Sequence, residues 1–533
     1  MSRSTFSGFT IAHLGMNASQ MALQVTGQNI SNINTAGYTR QQVDLVSLNL
    51  NGSNAVSTGP ASKIGYGVSV SNISQVRDPF LDVLYRNQIA KLGTSDAQQA
   101  VIDQLSDIFD ETDKDALGTA LTNLSSSLQK MSADASSDEY DSIIRSRFQV
   151  ILNFVHQKAD DLGTARENAI SSLETTDIPK LNSLLSDISE LNNSIWNSQV
   201  QGNPALELKD QRNSKLDELA SYLPISVTYK SVTVATDATY EYPVVKFEGS
   251  NGEVYNLTAG QHGENCASLE ANPQDDGNVN IRLTPATDYA PGTDVSALTA
   301  DITDNLKDGT IKGTVDMLNK SGELDDPATD FRGIGYYEKV LNSFVQTLAK
   351  TFNDLNIEAA NKTEADPTGT KNYALFTSTD GSTNLTAENI KISDDWMNGV
   401  ISLIASDGSG GSTDNSNILK MYKALEGSDT KFEYQSSSGS PITFFTGSYY
   451  NCYYSISGTL GIDSAATTAT LKNHMAVLGE TADNRDSVSG VSLDEETIGL
   501  MQYQKSYTAA ARLMTTLDEA LDVLINKTGV VGR

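Results

Sequence analysis

Four histidines, two cysteines and one acidic run are the residues whose types could do chemistry, and their spacing decides what they can do. His13, His156, His262 and His474 are far apart, with no HExxH pair and no cysteine close by, so neighbouring residues build neither a zinc-hydrolase helix nor a mixed Cys/His site. Each reads as a surface or core residue. The run Asp110, Glu111, Asp113, Asp115 and Gly118 offers the oxygen ligands calcium takes, but it lacks the glycine at the sixth position and the closing glutamate of an EF-hand loop, and reads as a solvated acidic turn. Gly408, Gly410 and Gly411 precede no lysine and open no helix, which argues against a phosphate loop. No nucleophile elbow is present. Cys266 and Cys452 form neither a zinc spacing nor a CxxC pair; both are expected to be free thiols, with a single disulfide between them left open. The expectation is a protein that is not an enzyme and holds no metal or cofactor.

Composition points the same way. The 533 residues carry a formal charge of -30, which makes nucleic acid and anionic membrane surfaces poor partners. That length gives room for three or four domains of ~100–200 residues each. The charge sits in the middle of the chain, since residues 1–50 hold Arg3 and Arg40 against Asp44, and residues 484–533 hold five basic and seven acidic groups. Phe6, Phe9, Ile11 and Leu14 are scattered among Ser, Thr and Asn, so no cleavable signal is read. Nor is there a run of ~18 apolar residues for a membrane span. Taken alone, these features read as cytoplasmic.

The elements that organise the chain are its two ends. Leu493, Leu500, Tyr503, Tyr507, Ala510, Met514, Leu517, Leu521 and Leu524 follow the 3-4 spacing of a coiled-coil seam. Ser492 and Glu495 predict a capping box ahead of it, and Lys527 and Gly529 its end. Gly499 is the one local misfit. Near the N-terminus Ile11, Leu14, Ala18, Met21 and Val25 repeat the spacing, so each end carries an apolar stripe that a lone helix cannot bury. A two-helix hairpin within one subunit would cover part of both; the sharper reading is that they are assembly elements. After the first helix, Asn29, Asn32, Asn34, Thr35, Gly37 and Tyr38 stop it and turn the chain, because Asn tolerates left-handed backbone and Gly37 has unrestricted φ.

The run from Asn29 through Thr39, Arg40 and Gln41 resembles the N-terminal signature of bacterial flagellar axial proteins, the rod, hook and hook-associated subunits. Gly65, Tyr66, Gly67, Val68, Ser69, Val70, Ile73, Arg77, Asp78, Phe80 and Leu81 resemble the segment that follows it in the hook-associated members. Ser489, Gly490, Val491, Ser492, Leu493, Asp494, Glu495 and Glu496, with Tyr503, Gln504, Tyr507 and Ala509 to Ala511, form the most specific match. Residues 5–85 and 480–533 resemble the family closely. Leu208, Asp210, Gln211, Arg212, Leu216, Asp217, Glu218 and Leu219 are similar to its helical domain. Ala36 departs from the proline common before the turn glycine, and Ser492 from asparagine. The resemblance implies a secreted axial subunit at the junction of hook and filament, exported unfolded through a type III apparatus. Its implied partners are further copies of itself in a ring, the hook protein, a second hook–filament junction protein and an export chaperone that binds near the C-terminus.

Between the ends, Leu181, Leu184, Ile188, Leu191 and Ile195, and then Tyr337, Leu341, Phe344, Leu348, Phe352 and Leu355, predict helices with a core face. β-Branched and aromatic residues from Ile225 to about residue 298 predict a β-rich insertion. A second is predicted from about residue 362 to 458, with Ser406 to Ser416 as a loop and Phe432, Tyr434, Phe444, Phe445, Tyr449, Tyr450, Tyr453 and Tyr454 on strands. Those tyrosines are read as strand core, with a ligand-binding patch as the other possibility. The expected fold is multidomain α+β: a terminal α-helical coiled-coil domain built from both chain ends, a helical second domain, and β-rich outer insertions. In chain order this gives residues 1–90, the N-terminal half of the coiled-coil core with its hairpin; 91–225, helical; 226–309, β-rich; 310–362, helical again; 363–458, the second β-rich outer domain; 459–485, a returning helix; and 486–533, the C-terminal coiled-coil helix. The same exposed insertions would serve an adhesin or host-surface role, the alternative to a structural adaptor.

Overall fold

The computed structural model describes residues 7–48, 67–109, 111–134, 138–235, 238–288, 296–324, 331–363, 365, 371–408, 410, 414–435 and 441–527. Helix α1 (Ser7–Ser31) leads into a hairpin of β1 (Gln41–Ser47) and β2 (Val68–Gln75). The helices α2 (Pro79–Ile108), α3 (Glu111–Ala133), α4 (Asp138–Ser172), α5 (Ile178–Val200) and α6 (Leu206–Tyr222) follow. Next comes a strand-rich segment: β3 (Ile225–Ala235), β4 (Ala238–Glu248), β5 (Val254–Asn256), β6 (Thr258–Ala259), β7 (Asn265–Cys266), β8 (Ser268–Pro273), β9 (Val279–Thr284) and β10 (Ala300–Asp301). Helices α7 (Thr310–Asn319) and α8 (Ile334–Lys362) return the chain to helix. The short elements β11 (Phe376–Ser378), β12 (Ile390–Ile392), α9 (Asp394–Met397), α10 (Ser416–Glu426), β13 (Lys431–Gln435) and β14 (Pro441–Thr446) precede two long closing helices, α11 (Tyr449–Ser489) and α12 (Leu493–Asp522).

The helices start where the sequence supplies a cap. Asp78 accepts from the amide of Phe80 at 2.9 Å with Pro79 in the first turn of α2, Ser448 caps α11 through Asn451, and Ser492 accepts from Glu495 ahead of α12. Each satisfies an amide that the helix itself leaves open. Only half of the expected capping box forms, because the Glu495 carboxylate turns to Arg40, 3.1 Å away. Gly499 meets no neighbouring element, its nearest contact being Tyr503 on its own helix.

Among the described residues the strands pair antiparallel, as β3-β4-β5, β8-β9-β10, and the two-stranded pairs β1-β2, β6-β7, β11-β12 and β13-β14. One continuous core runs from Val101 in α2 through α3, α4, α5, α7, α8 and the strands to Leu460 in α11. At its centre Phe148 meets Phe352 and Phe376 edge to face at 4.9 and 5.0 Å, and the buried Trp396 donates its indole N–H to Asp141 at 2.9 Å. Outside that core the chain is nested, since α2 packs along α11 and α1 packs along α12. The first helix is closed by the last, and the second long helix by the one before the last.

The structure departs from the sequence reading in three places. Tyr449, Tyr450, Tyr453 and Tyr454 are not on strands but open α11. Tyr449 is fully buried against Phe344 and Phe432, while Tyr450 and Tyr454 are exposed. An aromatic run with hydroxyl and glycine neighbours fits either period, and here packing against α8 decides. The segment 363–458 is also less β-rich than expected, with α9, α10 and the start of α11 alongside four short strands. The acidic run does not form a turn, for α3 begins at Glu111; Asp110 lies outside the described residues. Both cysteines are free, Cys266 exposed and Cys452 buried. Gly65, Tyr66 and Gly529 fall outside the described residues.

Candidate assembly interface

Helix α12 turns part of its predicted seam toward α1, with Leu517 beside Gly8 and Ala510 beside Gly15. Leu500, Tyr503, Ala510, Met514, Leu517 and Leu521 are half-buried, whereas Leu493, Tyr507 and Leu524 are exposed. Among the residues of this helix only Glu496 is fully buried. Ile498, Met501 and Leu513 lie exposed as well, so a long helix bearing an apolar seam is covered on one side.

The face that α1 turns to it is not the predicted stripe. A side chain built on Gly8 would meet Leu517, and one on Gly15 would meet the Cβ of Ala510 at 3.8 Å, while Asn29 reaches Glu496 at 3.2 Å. Equal steps along the two helices in opposite directions link these three contacts, so the pair is antiparallel in one register. Ala12, Ser19, Ala22 and Thr26 continue the same 4-3 stripe between them, and all are buried. The face is therefore Gly, Ala, Gly, Ser, Ala, Thr, Asn, and small residues let the two helix axes come close. The predicted stripe lies elsewhere on α1: Ile11 and Leu14 lie beside Gly67 at the hairpin, Ala18 and Val25 are buried, and Met21 is exposed. Hydrophobicity alone hid the contact face; the 4-3 recurrence of small residues was the signal available for it.

The turn after α1 locks the pair to the rest of the molecule. Asn29, 1 % exposed, donates from Nδ2 to the Gln41 carbonyl at 2.9 Å and to Glu496, and its Oδ1 accepts from the Gln41 amide at 3.0 Å and the Tyr38 hydroxyl at 2.9 Å. Its whole hydrogen-bonding capacity is used. Burial pushes the Tyr38 phenol above its ordinary pKa, which keeps it a neutral donor. Glu496 also accepts from Arg40 Nε at 2.7 Å, so the buried carboxylate is paired. Asn32 donates to the Gln28 carbonyl at 3.0 Å and accepts from Thr35 at 3.2 Å. Gly37 takes φ +77° at the turn, and Asn34 is exposed at its outer side.

Below this clasp a second polar joint ties α2, α6 and α11 together. Thr39 donates its amide and hydroxyl to Asp210 at 3.1 and 2.6 Å. Arg86 and Arg485 share Asp217 at 2.8 and 2.6 Å, and the Arg485 guanidinium lies 3.8 Å from the Tyr85 ring centre. None of this is catalytic geometry. His13 is exposed, His156 meets the Ile390 carbonyl, His262 stacks on Trp196 and His474 bonds Ser95. Among the described residues no group of three His, Cys, Asp or Glu side chains is placed to hold a metal, and no helix is long and apolar enough to cross a membrane.

The two ends of the chain close on each other, with a turn clasped beneath them and helices from both halves in the body, and the comparisons with known proteins place it among flagellar proteins. Residues 102–376 match the family model described as the flagellar hook-associated protein FlgK helical domain, and residues 484–527 that of the flagellar basal body rod FlgEFG protein C-terminal. The chain belongs to the flagellar hook-associated FlgK family. It is 28% identical to flagellar hook-associated protein 1 of Bacillus subtilis (strain 168), an alignment covering 99% of this chain and 100% of the relative. It is 24% identical to the protein of the same name from Salmonella typhimurium, over 96% and 98%. The solved structure of the flagellar hook junction protein FlgK from Burkholderia pseudomallei shares the fold, with a TM-score of 0.55, 12% identity, and coverage of 76% of this chain and 100% of that one. Flagellar hook-associated proteins are structural components of the flagellum, and the mixed α+β architecture of this chain is theirs.

Proposed function

We propose that this chain is a structural adaptor that joins hook to filament by packing the α1–α12 pairs of many copies into a tube. One observation carries the reading: α12 holds an unbroken apolar seam, yet among the described residues it is α1 that covers it, and part of the seam stays exposed. Exposed Leu493, Tyr507, Leu524, Ile498 and Met501 gain burial when other copies arrive, at roughly 25 cal/mol per Å² of apolar area. The residues offered as the assembly surface are the stripe Ile11, Leu14, Ala18, Met21 and Val25 on α1, of which Met21 is exposed in the single subunit while Ala18 and Val25 are already buried in it, and the seam from Leu493 on α12 to Leu524 in the turn just beyond its end. In this arrangement the terminal pair lies innermost, the helical body next, and the strand-rich segments 226–309 and 363–458 outermost. Successive rings then meet hook protein on one side and the second junction protein on the other. Secretion through the type III apparatus with a dedicated chaperone belongs to the same reading.

Reconstitution tests it. Purified chain, then flagellin, is added to isolated hooks that lack it, with the second junction protein and cap supplied, and electron microscopy scores filaments. Filaments are expected only when the chain is present, and not with Leu517→Asp, which places a charge where a helix partner is required. Bare hooks that never take up the chain would overturn the assignment.

A further inference from the structure

A cleft of about 790 Å³ opens where β2, the loop between α5 and α6, α6 itself and the β3–β4 ribbon converge. In a chain of net charge -30, its lining is unexpectedly cationic. Lys209 and Arg212, about one turn apart on α6, both line it, with Arg77 at its margin. Arg212 is 2 % exposed. Its Nη1 donates to Asn192 Oδ1 at 3.1 Å, its guanidinium lies 5.9 Å from the Tyr229 ring centre, and its Nε is buried with no hydrogen-bond partner. Neither Lys209 nor Arg212 forms an ion pair among the described residues, although Arg77 is held by Asp82 at 3.1 Å, and Arg86 and Arg485 by Asp217. The local acids are therefore taken, and Glu241 is the remaining carboxylate on the wall. Burial lowers the pKa of both cations, and for Lys209 the neighbouring Arg212 charge lowers it further.

A buried arginine beside a half-buried lysine, neither ion-paired among the described residues and with Glu241 the one carboxylate left to share on the wall, is costly unless something further pairs with them. We propose that this cleft binds a carboxylate, held between the Arg212 guanidinium and the Lys209 ammonium and presented either by a free small anion or by an Asp or Glu side chain of a second copy of this chain. The geometry suits that class, because an arginine edge and an ammonium together offer several charge-assisted donors to one oxyanion. The cleft is larger than a lone carboxylate needs, leaving room for the backbone or the rest of the molecule that carries it.

The first arm uses the full-length soluble chain and does not depend on the adaptor reading. Citrate is titrated by calorimetry and thermal denaturation at constant ionic strength, with sodium chloride as control. Saturable binding is expected that raises Tm, weakens roughly tenfold in Lys209→Gln, and tightens in Glu241→Gln, where a competing charge is removed. The opposite signs separate a site from a folding defect. The second arm treats chain assembled on hooks with a zero-length carbodiimide and maps cross-links by mass spectrometry. A Lys209 cross-link to an acidic residue of another copy, suppressed by citrate, assigns the carboxylate to the neighbour; citrate binding without that cross-link assigns it to a free anion. No saturable citrate binding and no Lys209 cross-link overturns the proposal, whether or not filaments grow.

Discussion

Asn29 acts as a piece of backbone supplied by a side chain. It pairs with both the amide and the carbonyl of Gln41 as a strand neighbour would, and its remaining donor and acceptor capacity goes to Glu496 and Tyr38. The substitution Asn29→Asp keeps the shape and reverses the polarity of one end. A carboxylate oxygen then faces the Gln41 carbonyl and the buried Glu496 carboxylate, and Arg40 cannot satisfy both. Removing one member of a buried polar network in this way costs about 3 kcal/mol or more. The expected outcome is loss of amide protection in α1 and α12 with the α5 and α8 body unchanged, read by hydrogen exchange. Protection equal to wild type would show that the clasp is not what holds the pair. The sequence reading sets Asn29 in the turn that follows the first helix, whereas it lies within the last turns of α1, two residues before that helix ends at Ser31. Its long-range role was not legible, because its partner Glu496 lies at the other end of the chain and nothing local distinguishes an asparagine that ends a helix from one that joins two.

At the scale of the element, α1 and α12 show what apolar periodicity reads and what it misses. The α12 seam was legible because Leu, Met and Tyr recur at the spacing that faces a partner. The α1 face was not, because Gly8, Ala12, Gly15, Ser19, Ala22 and Thr26 contribute little hydrophobicity and act through small size. The difference is testable at Gly15. A methyl group there meets the Ala510 Cβ at 3.8 Å, an ordinary contact, so Gly15→Ala fits and gains up to about 1 kcal/mol from helix propensity. Gly15→Leu carries three more carbons into the same space and forces the helices apart. Slower exchange in α1 for the alanine variant and faster exchange in both helices for the leucine variant are expected. If leucine is tolerated as well as alanine, the helices are not in close contact there. The strand-rich segment 225–301 was legible from alternation and glycine punctuation, while the start of α11 was not, since its tyrosines are set by contact with α8 rather than by their own period.

For the whole molecule, the nested order sets a gradient of stability. The body holds one continuous core with many side chains fully excluded from solvent. Moving outward, α11 is buried only as far as Leu460, and Ile462, Met475, Val477 and Val488 beyond it are exposed. The α1–α12 pair stands last, held by one helix-to-helix seam, the hairpin and the clasp. Local opening free energy follows buried contact, so exchange in the free subunit should rise from α5 and α8 through the distal half of α11 to α12. In the proposed assembly each added copy would act where stability is least, covering apolar surface on the terminal pair and scarcely touching the body. In dilute monomer, amides of residues 493–522 are expected to exchange at least ~100-fold faster than those of α8, a difference of only about 2.7 kcal/mol in opening free energy. In chain bound to hooks that gap should close from the α12 side alone. Protection already uniform in the monomer would mean that the pair is complete without neighbours, and the exposed seam would then face solvent or the channel rather than another subunit.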